Sequence, residues 1–289
     1  MSDQKNLLKF IAAMVIFGTN GLLVAHMSLT SAEIVFMRTF LGSLCLLGVV
    51  LVTGKFDVQA LKKDFWAASL GGVCLGLNWV LLFAAYREAS VSLATLTYYC
   101  GPMLVVLLSP ILFKERLTSN KLMALGAVVI GMLCITGSVD FNSSMGGGIL
   151  LAAGGAIFYA GVIICNKFVH TMKGLHCALY ELIVAFLIML VYLLAIGNPM
   201  PVIPAEGEWM YVLIIGLVNT GLAYYLYFSS MQQLSAQTVS LVCYLDPLTA
   251  LFVSVFFLGE TLLPLHIVGA ILILGGSLIG EIKLKKRAK

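Results

Sequence analysis

The chain has 289 residues, of which 61% are hydrophobic and only 10% are charged, against about 25% charged in a typical soluble domain. So few charges cannot solvate the surface of a water-soluble protein of this size, which leaves the bilayer as the natural solvent. The formal charge of +4 matters by its placement, and the seven Cys, scattered through apolar runs without paired spacing, argue against a zinc site or a disulfide framework and read as buried thiols packed as small hydrophobes.

A spanning helix takes about 20 mostly apolar residues. Ten such stretches follow one another: helix 1 at 7–25, helix 2 at 32–52, helix 3 at 65–85, helix 4 at 91–113, helix 5 at 120–138, helix 6 at 147–166, helix 7 at 175–196, helix 8 at 209–229, helix 9 at 235–257 and helix 10 at 265–282. The apolar part of helix 1 is longer than a signal-peptide core and no A-x-A pattern follows it, so it is kept as a span. Loops are short and bear turn residues, as in Gly197-Asn198-Pro199-Met200-Pro201. With the N-terminus in the cytoplasm, the inner loops and tails collect every Lys and Arg except Arg87, in an outer loop, and Arg38, inside helix 2. That is the separation the positive-inside rule requires. The expected molecule is an all-α integral membrane protein of the inner membrane with both termini cytoplasmic. The basic tail Lys283–Lys289 reads as a topology anchor against anionic headgroups rather than a nucleic-acid site.

The chain is also written twice. A shift of 145 positions, without a gap, lays Ser90 on Ser235, Tyr99 on Tyr244, Pro102 on Pro247, Ser109 on Ser254 and Glu115 on Glu260. Upstream, Gly71 and Gly76 fall on Gly216 and Gly221. With only 7 Pro and 11 Tyr in the chain, matches at those residues are not cheap. Two related units are expected, 1–140 and 141–289. Five helices per unit is an odd number, so the second copy enters the membrane upside down. Inverted repeats of this kind place a solute site near the midplane, where the units meet.

Phe83-Ala84 to Gly126, with Pro102 mid-helix and Glu115-Arg116-Leu117-Thr118 at its end, resembles an EamA domain. The second unit repeats the pattern with Pro247 and Leu258-Gly259-Glu260-Thr261, closing on Gly269-Ala270. Two such domains in ten helices are similar to the drug/metabolite transporter superfamily. Phe17-Gly18 departs from the family's frequent Trp-Gly in helix 1, and helix 6 offers Tyr159-Ala160. The resemblance implies carriage of amino acids, amines, drugs or other small metabolites, frequently outward.

Ser92, Thr95, Tyr99 and Pro102 share one face of helix 4, and Gln237, Ser240, Tyr244 and Pro247 form the matching stripe of helix 9. Lipid offers a hydroxyl no partner, so these stripes should face protein or water. Interhelical bonding and cavity lining both suit Thr95 and Ser240, whereas Tyr99 and Tyr244, near mid-span, are expected to line a cavity. Pro102 and Pro247 are expected hinges, because proline removes a backbone donor; a kink that only improves packing is the alternative. Asn20, Asn78, Trp79, Tyr98, Tyr159, Asn219, Tyr224, Tyr225 and Tyr227 join this group as walls for a flat ring or an organic cation, with ordinary packing the alternative for any one of them.

Asp246 lies close to mid-depth of helix 9, opposite Gly101 in the repeat. An ionised carboxylate there costs at least about 2.5–3.5 kcal/mol, so Asp246 is the first candidate for proton coupling or for holding an ammonium group. It stands about 120° around the helix from the Tyr244–Pro247 stripe, and bonding to a neighbouring helix is its alternative role. Glu181 in helix 7 is the second candidate for coupling, although anchoring fits both it and Arg38 better. Glu115 and Glu260, ending helices 4 and 9, suit a capping role.

No G-x-x-x-x-G-K-[ST], HExxH or G-x-S-x-G pattern occurs. The expectation is therefore no enzyme, no cofactor, no metal and no nucleic-acid partner. What remains is a secondary transporter for a small-molecule substrate, working by alternating access, coupled to a proton or another ion, and acting as a monomer or weak homodimer. The alternative is a sugar-phosphate or nucleotide-sugar exchanger on the same architecture, which needs cations in the cavity for the phosphate.

Overall fold

A computed structural model describes residues 2–53, 58–114, 117, 119–136, 142–172, 174–231, 234 and 242–281. Ser240 and Gln237, Glu115 and the tail 283–289 lie outside the described residues. Among the described residues the regular structure is all helical. Seven helices are long and apolar enough to cross a bilayer, and three shorter apolar ones (Ser119–Ile135, Leu245–Phe257, Pro264–Gly276) supply helices 5, 9 and 10. Large apolar side chains such as Leu51, Ile111, Phe256 and Ile271 point outward, which water would penalise and lipid does not.

Six helices run unbroken near their expected bounds: helix 2 at Ser31–Thr53, helix 3 at Val58–Glu88, helix 5 at Ser119–Thr136, helix 6 at Ser144–Phe168, helix 7 at Gly174–Ala195 and helix 10 at Pro264–Glu281. Others are interrupted. Helix 1 divides into Ser2–Gly18 and Asn20–Ala25, and helix 4 into Val91–Tyr98 and Gly101–Leu112. Pro102 therefore sits in the first turn of a new helical piece, where its missing N–H breaks no bond. In the second unit Tyr244 is a turn residue, and Pro247 opens the piece Leu245–Phe257 in the same way. Helix 8 runs Trp209–Leu213, then a π-helical segment Ile214–Leu222, then Ala223–Met231.

The packing repeats itself under exchange of the units. Helix 3 lies along helix 6 as helix 8 lies along helix 1, and helix 3 touches helix 7 as helix 8 touches helix 2. Helix 4 meets helix 6 as helix 9 meets helix 1, while the pairs 2 with 7, 4 with 9 and 5 with 10 map onto themselves. Small residues permit the closest of these approaches. A Cβ on Gly131 of helix 5 would stand 2.8 Å from the Gly269 carbonyl of helix 10, and one on Gly269 would stand 2.8 Å from the Gly131 carbonyl. Gly72 of helix 3 similarly faces Val184 of helix 7.

Candidate functional site

The breaks in helices 1, 4 and 9 and the piece of helix 8 that follows its π segment surround a cavity of about 680 Å³. Helical pieces joined by a turn release backbone groups and swing side chains off the regular face, which is how broken helices build sites inside a membrane. Of the residues singled out in the sequence, Asn20, Asn78, Trp79, Thr95, Tyr98, Tyr99, Tyr159, Tyr224, Glu181 and Asp246 all line it.

Helices 4 and 6 supply an aromatic wall. Tyr98 and Tyr159 stack with ring centroids 4.8 Å apart and planes 8° from parallel, and Tyr99 meets Tyr159 edge-on at 6.4 Å. The Tyr98 hydroxyl donates to Asn78 Oδ1 (2.9 Å), tying this wall to helix 3. Trp79 and Phe17 each present an edge contact to Tyr224, at 6.1 and 5.6 Å. Phe17 and Tyr159, the two aromatics at the positions where the chain departs from or echoes the family pattern, thus face the same space.

The polar groups are placed by the irregular segments. The π segment, a form that gathers at functional sites, carries Asn219 and Thr220. Asn219 Nδ2 reaches the break in helix 1, donating to Ile16 O (2.8 Å), Thr19 Oγ1 (2.9 Å) and Asn20 Oδ1 (3.2 Å). Asn219 is buried and is not itself part of the lining; it holds Asn20, which is. The Tyr99 hydroxyl donates to Asp246 Oδ2, joining the break of helix 4 to that of helix 9. Glu181, 4% exposed, accepts from Asn166 Nδ2 at 2.9 Å.

Tyr244 is not brought to the cavity. It is buried against Leu93, Leu96, Ile273 and Leu274 of helices 4 and 10. Asp246 stands two residues further on, so the two side chains take different faces, and the acid has the cavity. Pro102 and Pro247 stand at the breaks without lining the cavity. Arg38, Tyr86, Asn166 and Tyr227 also contribute to the walls. Arg38, as a charge inside an apolar helix, and Tyr227, among the aromatics of helix 8, had advance signals in the sequence; Tyr86 and Asn166 had none. Among the described residues no group of three or more His, Cys, Asp or Glu is placed to hold a metal ion.

The two ends of the cavity differ. It extends to Lys167, Val169, Met172 and Gly174, where helix 6 ends and helix 7 begins. Asp64 fastens that connection to helix 3 by accepting from the amides of Thr171 (2.7 Å) and Met172 (2.9 Å). At the opposite end the helices are latched. Glu260, beyond helix 9, accepts from the amides of Val91 (2.6 Å) and Ser92 (3.0 Å) and from Ser92 Oγ (2.7 Å) at the start of helix 4. The carboxylate of Glu208 accepts from the Ser28 amide (2.6 Å), and Arg87 donates to the carbonyls of Met27 and Leu29. Glu260 is thus a cap, but for the partner helix in the other unit rather than for its own.

A family model described as the EamA-like transporter family matches residues 4–137 and again 146–279. The chain is 30% identical over 266 residues to the uncharacterized transporter YxxF of Bacillus subtilis, covering 89% of this chain and 84% of that one. An uncharacterized transporter of Archaeoglobus fulgidus is 25% identical over 271 residues, 93% of each chain. Protein PecM of Dickeya dadantii is 25% identical over 246 residues, 84% of this chain and 82% of that protein. A crystal structure with 19% identity has a TM-score of 0.66 over 96% of this chain and 97% of the other, a likeness of fold alone.

Proposed function

Because the chain belongs to the EamA-like transporter family, it is an integral membrane transporter and not an enzyme, and we propose that it carries small amphipathic metabolites, amino acids and amines among them, out of the cell by alternating access. The units 1–140 and 141–289 are the bodies that rock against each other, with both termini in the cytoplasm of an inner-membrane protein. One observation carries this reading: an aromatic-walled cavity lies where the helix breaks of both units converge, with Asp246 and its Tyr99 hydrogen bond on the wall.

In this reading the end marked by Lys167 and Met172 faces the cytoplasm, and the structure is an inward-facing form latched on its outer side by Glu260. Solute enters between helices 6 and 7, contacts the tyrosine wall, and occupies the space beside Asp246. The acid holds either a proton or the solute's ammonium group; its exchange between the two is the coupling step. Outward opening then requires Glu260 to leave the start of helix 4. The phosphate-exchanger alternative is weaker because the second cation of the lining, Lys167, sits at the mouth with its ammonium 4.3 Å from the Phe113 ring centroid.

Purified protein in liposomes, loaded in turn with amino acids, amines and a sugar phosphate, tests this by counterflow. Exchange of amino acids or amines that Tyr99→Ala weakens is the expected result. Exchange of the sugar phosphate alone would overturn the substrate class.

A further inference from the structure

Among the described residues, Arg38 is a buried charge with no opposite charge beside it. Its side chain is 1% exposed, in the N-terminal half of helix 2, and it lines the cavity. Nε donates to Thr220 Oγ1 at 3.1 Å, and the Thr220 hydroxyl proton goes to the Ile215 carbonyl at 2.7 Å, so the threonine oxygen is oriented to accept. The guanidinium carbon lies 3.8 Å from the centroid of the Trp79 ring and 5.2 Å from that of Phe83. The residue is therefore held on one edge and covered on its face. Nη1 is buried with no hydrogen-bond partner. The ionisable groups that act electrostatically on the guanidinium are the hydroxyl-bearing rings of Tyr224, Tyr98 and Tyr86, none of them a carboxylate.

A residue kept only to join helices 2 and 8 would need no charge, since a neutral donor can bond Thr220. Ionisable groups placed inside a membrane are costly and ordinarily paired, and a guanidinium offers a planar fork of donors suited to a two-oxygen anion. Here the guanidinium is pre-oriented, and its Nη1 has no hydrogen-bond partner among the described residues. We propose that Arg38 is the anion-recognition residue of the cavity and takes the carboxylate of the solute at Nη1, while Trp79 fixes the plane of the guanidinium.

The chemistry of the rest of the cavity selects the class. Asp246 stands on the same lining, and Tyr86 is within electrostatic reach of both it and Arg38. One cation and one acid on the lining of one cavity match a solute that carries a carboxylate and an ammonium group, with an apolar body against Tyr98 and Tyr159. A dianionic phosphate would meet two carboxylates, Asp246 and Glu181, on the same lining as Arg38, with Lys167 at the mouth. This assignment rests on the cavity being the solute site.

The test uses detergent-purified full-length protein and three probes with one body: L-phenylalanine, phenethylamine, which lacks the carboxylate, and 3-phenylpropanoate, which lacks the ammonium. Binding is read by calorimetry and by Trp fluorescence. Wild-type protein should hold L-phenylalanine about tenfold or more tighter than phenethylamine. Arg38→Gln should bring L-phenylalanine down to the level of phenethylamine and abolish 3-phenylpropanoate binding, with phenethylamine itself changed by less than about twofold. If Arg38→Gln fails to fold, Arg38→Lys keeps the charge but loses the fork, and should weaken the two carboxylate probes at least about fivefold while sparing the amine. Equal loss for all three probes would make Arg38 a structural residue and overturn the assignment. Binding of carboxylates that both variants leave unchanged would overturn it as well. Failure of wild type to bind any probe, together with no response to Tyr99→Ala, would remove the cavity reading and this assignment with it.

Discussion

Tyr99 and Tyr244 occupy one position of the repeat, each at a helix break just before a proline, yet they serve different ends. Tyr99 faces the cavity and donates to Asp246. Tyr244 is 8% exposed and packs into the apolar contact of helices 4, 9 and 10. The next positions diverge too: Gly101 in one unit, Asp246 in the other. A Cβ on Gly101 would come within 2.8 Å of the Ala156 carbonyl and 2.9 Å of the Tyr159 ring. Helix 6 therefore lies too close for any side chain at that point, whereas in the second unit the side chain at the equivalent position turns into the cavity. Glu181 and Leu41 show the same division, since Glu181 lies against Gly71 and Leu41 against the matching Gly216. The repeat sets the backbone twice and the chemistry once.

That contrast is broken most severely at Tyr244. Tyr244→Ala should lower stability by about 3–5 kcal/mol, as for a large aromatic removed from a packed core, while the folded fraction keeps its solute affinity. Tyr99→Ala should do the reverse, weakening solute binding about tenfold or more with a much smaller change in thermal midpoint in detergent. Loss of affinity with Tyr244→Ala alone would exchange the roles of the two units.

Asp246→Asn comes next. It retains a partner for the Tyr99 hydroxyl but removes the charge, so transport driven by a pH gradient, or recognition of amines over neutral analogues, should fall by about tenfold or more. Liposome flux at several imposed gradients reads this directly, and an unchanged flux and selectivity would reduce Asp246 to scaffold. Gly101→Ala should cost about 1–3 kcal/mol through overpacking between helices 4 and 6, measured as a lowered melting temperature. An unaltered melt would mean that helix 6 can withdraw without loss. The smallest effect is expected at the latch. Glu260→Gln weakens a charge-assisted cap on helix 4 worth about 1 kcal/mol, and should raise labelling of a cysteine placed at Ser90 by an impermeant reagent from outside. No change in labelling would show that Glu260 does not hold the outer end.

Much of this was legible before any coordinates. The membrane spans could be read because lipid tolerates only long apolar helices, and two units could be read because Pro, Tyr and Glu recur at one spacing. Most of the proposed walls, from Asn20 to Tyr224, were legible as polar or aromatic residues in places where lipid cannot satisfy them. The angle between Asp246 and the Tyr244–Pro247 stripe was legible as well, but not which of the two directions led to the cavity. A helical wheel assumes a regular helix, and helices 4 and 9 are interrupted at the residues in question. Helix 8 was read as regular, and its π segment, which aims Asn219 at helix 1 and Thr220 at Arg38, left no mark in the periodicity.

The amino-acid sequence alone determined that this protein lives in a bilayer as two like units, since hydrophobic length and repeated rare residues are properties of the chain itself. The tertiary structure decided which side chains share the cavity and that Arg38 is among them. It also decided that Tyr244 belongs to the packing and that Glu260 caps a helix of the other unit. Those outcomes depend on where the helices break and how closely they approach, and both are settled by contacts between residues far apart in the chain.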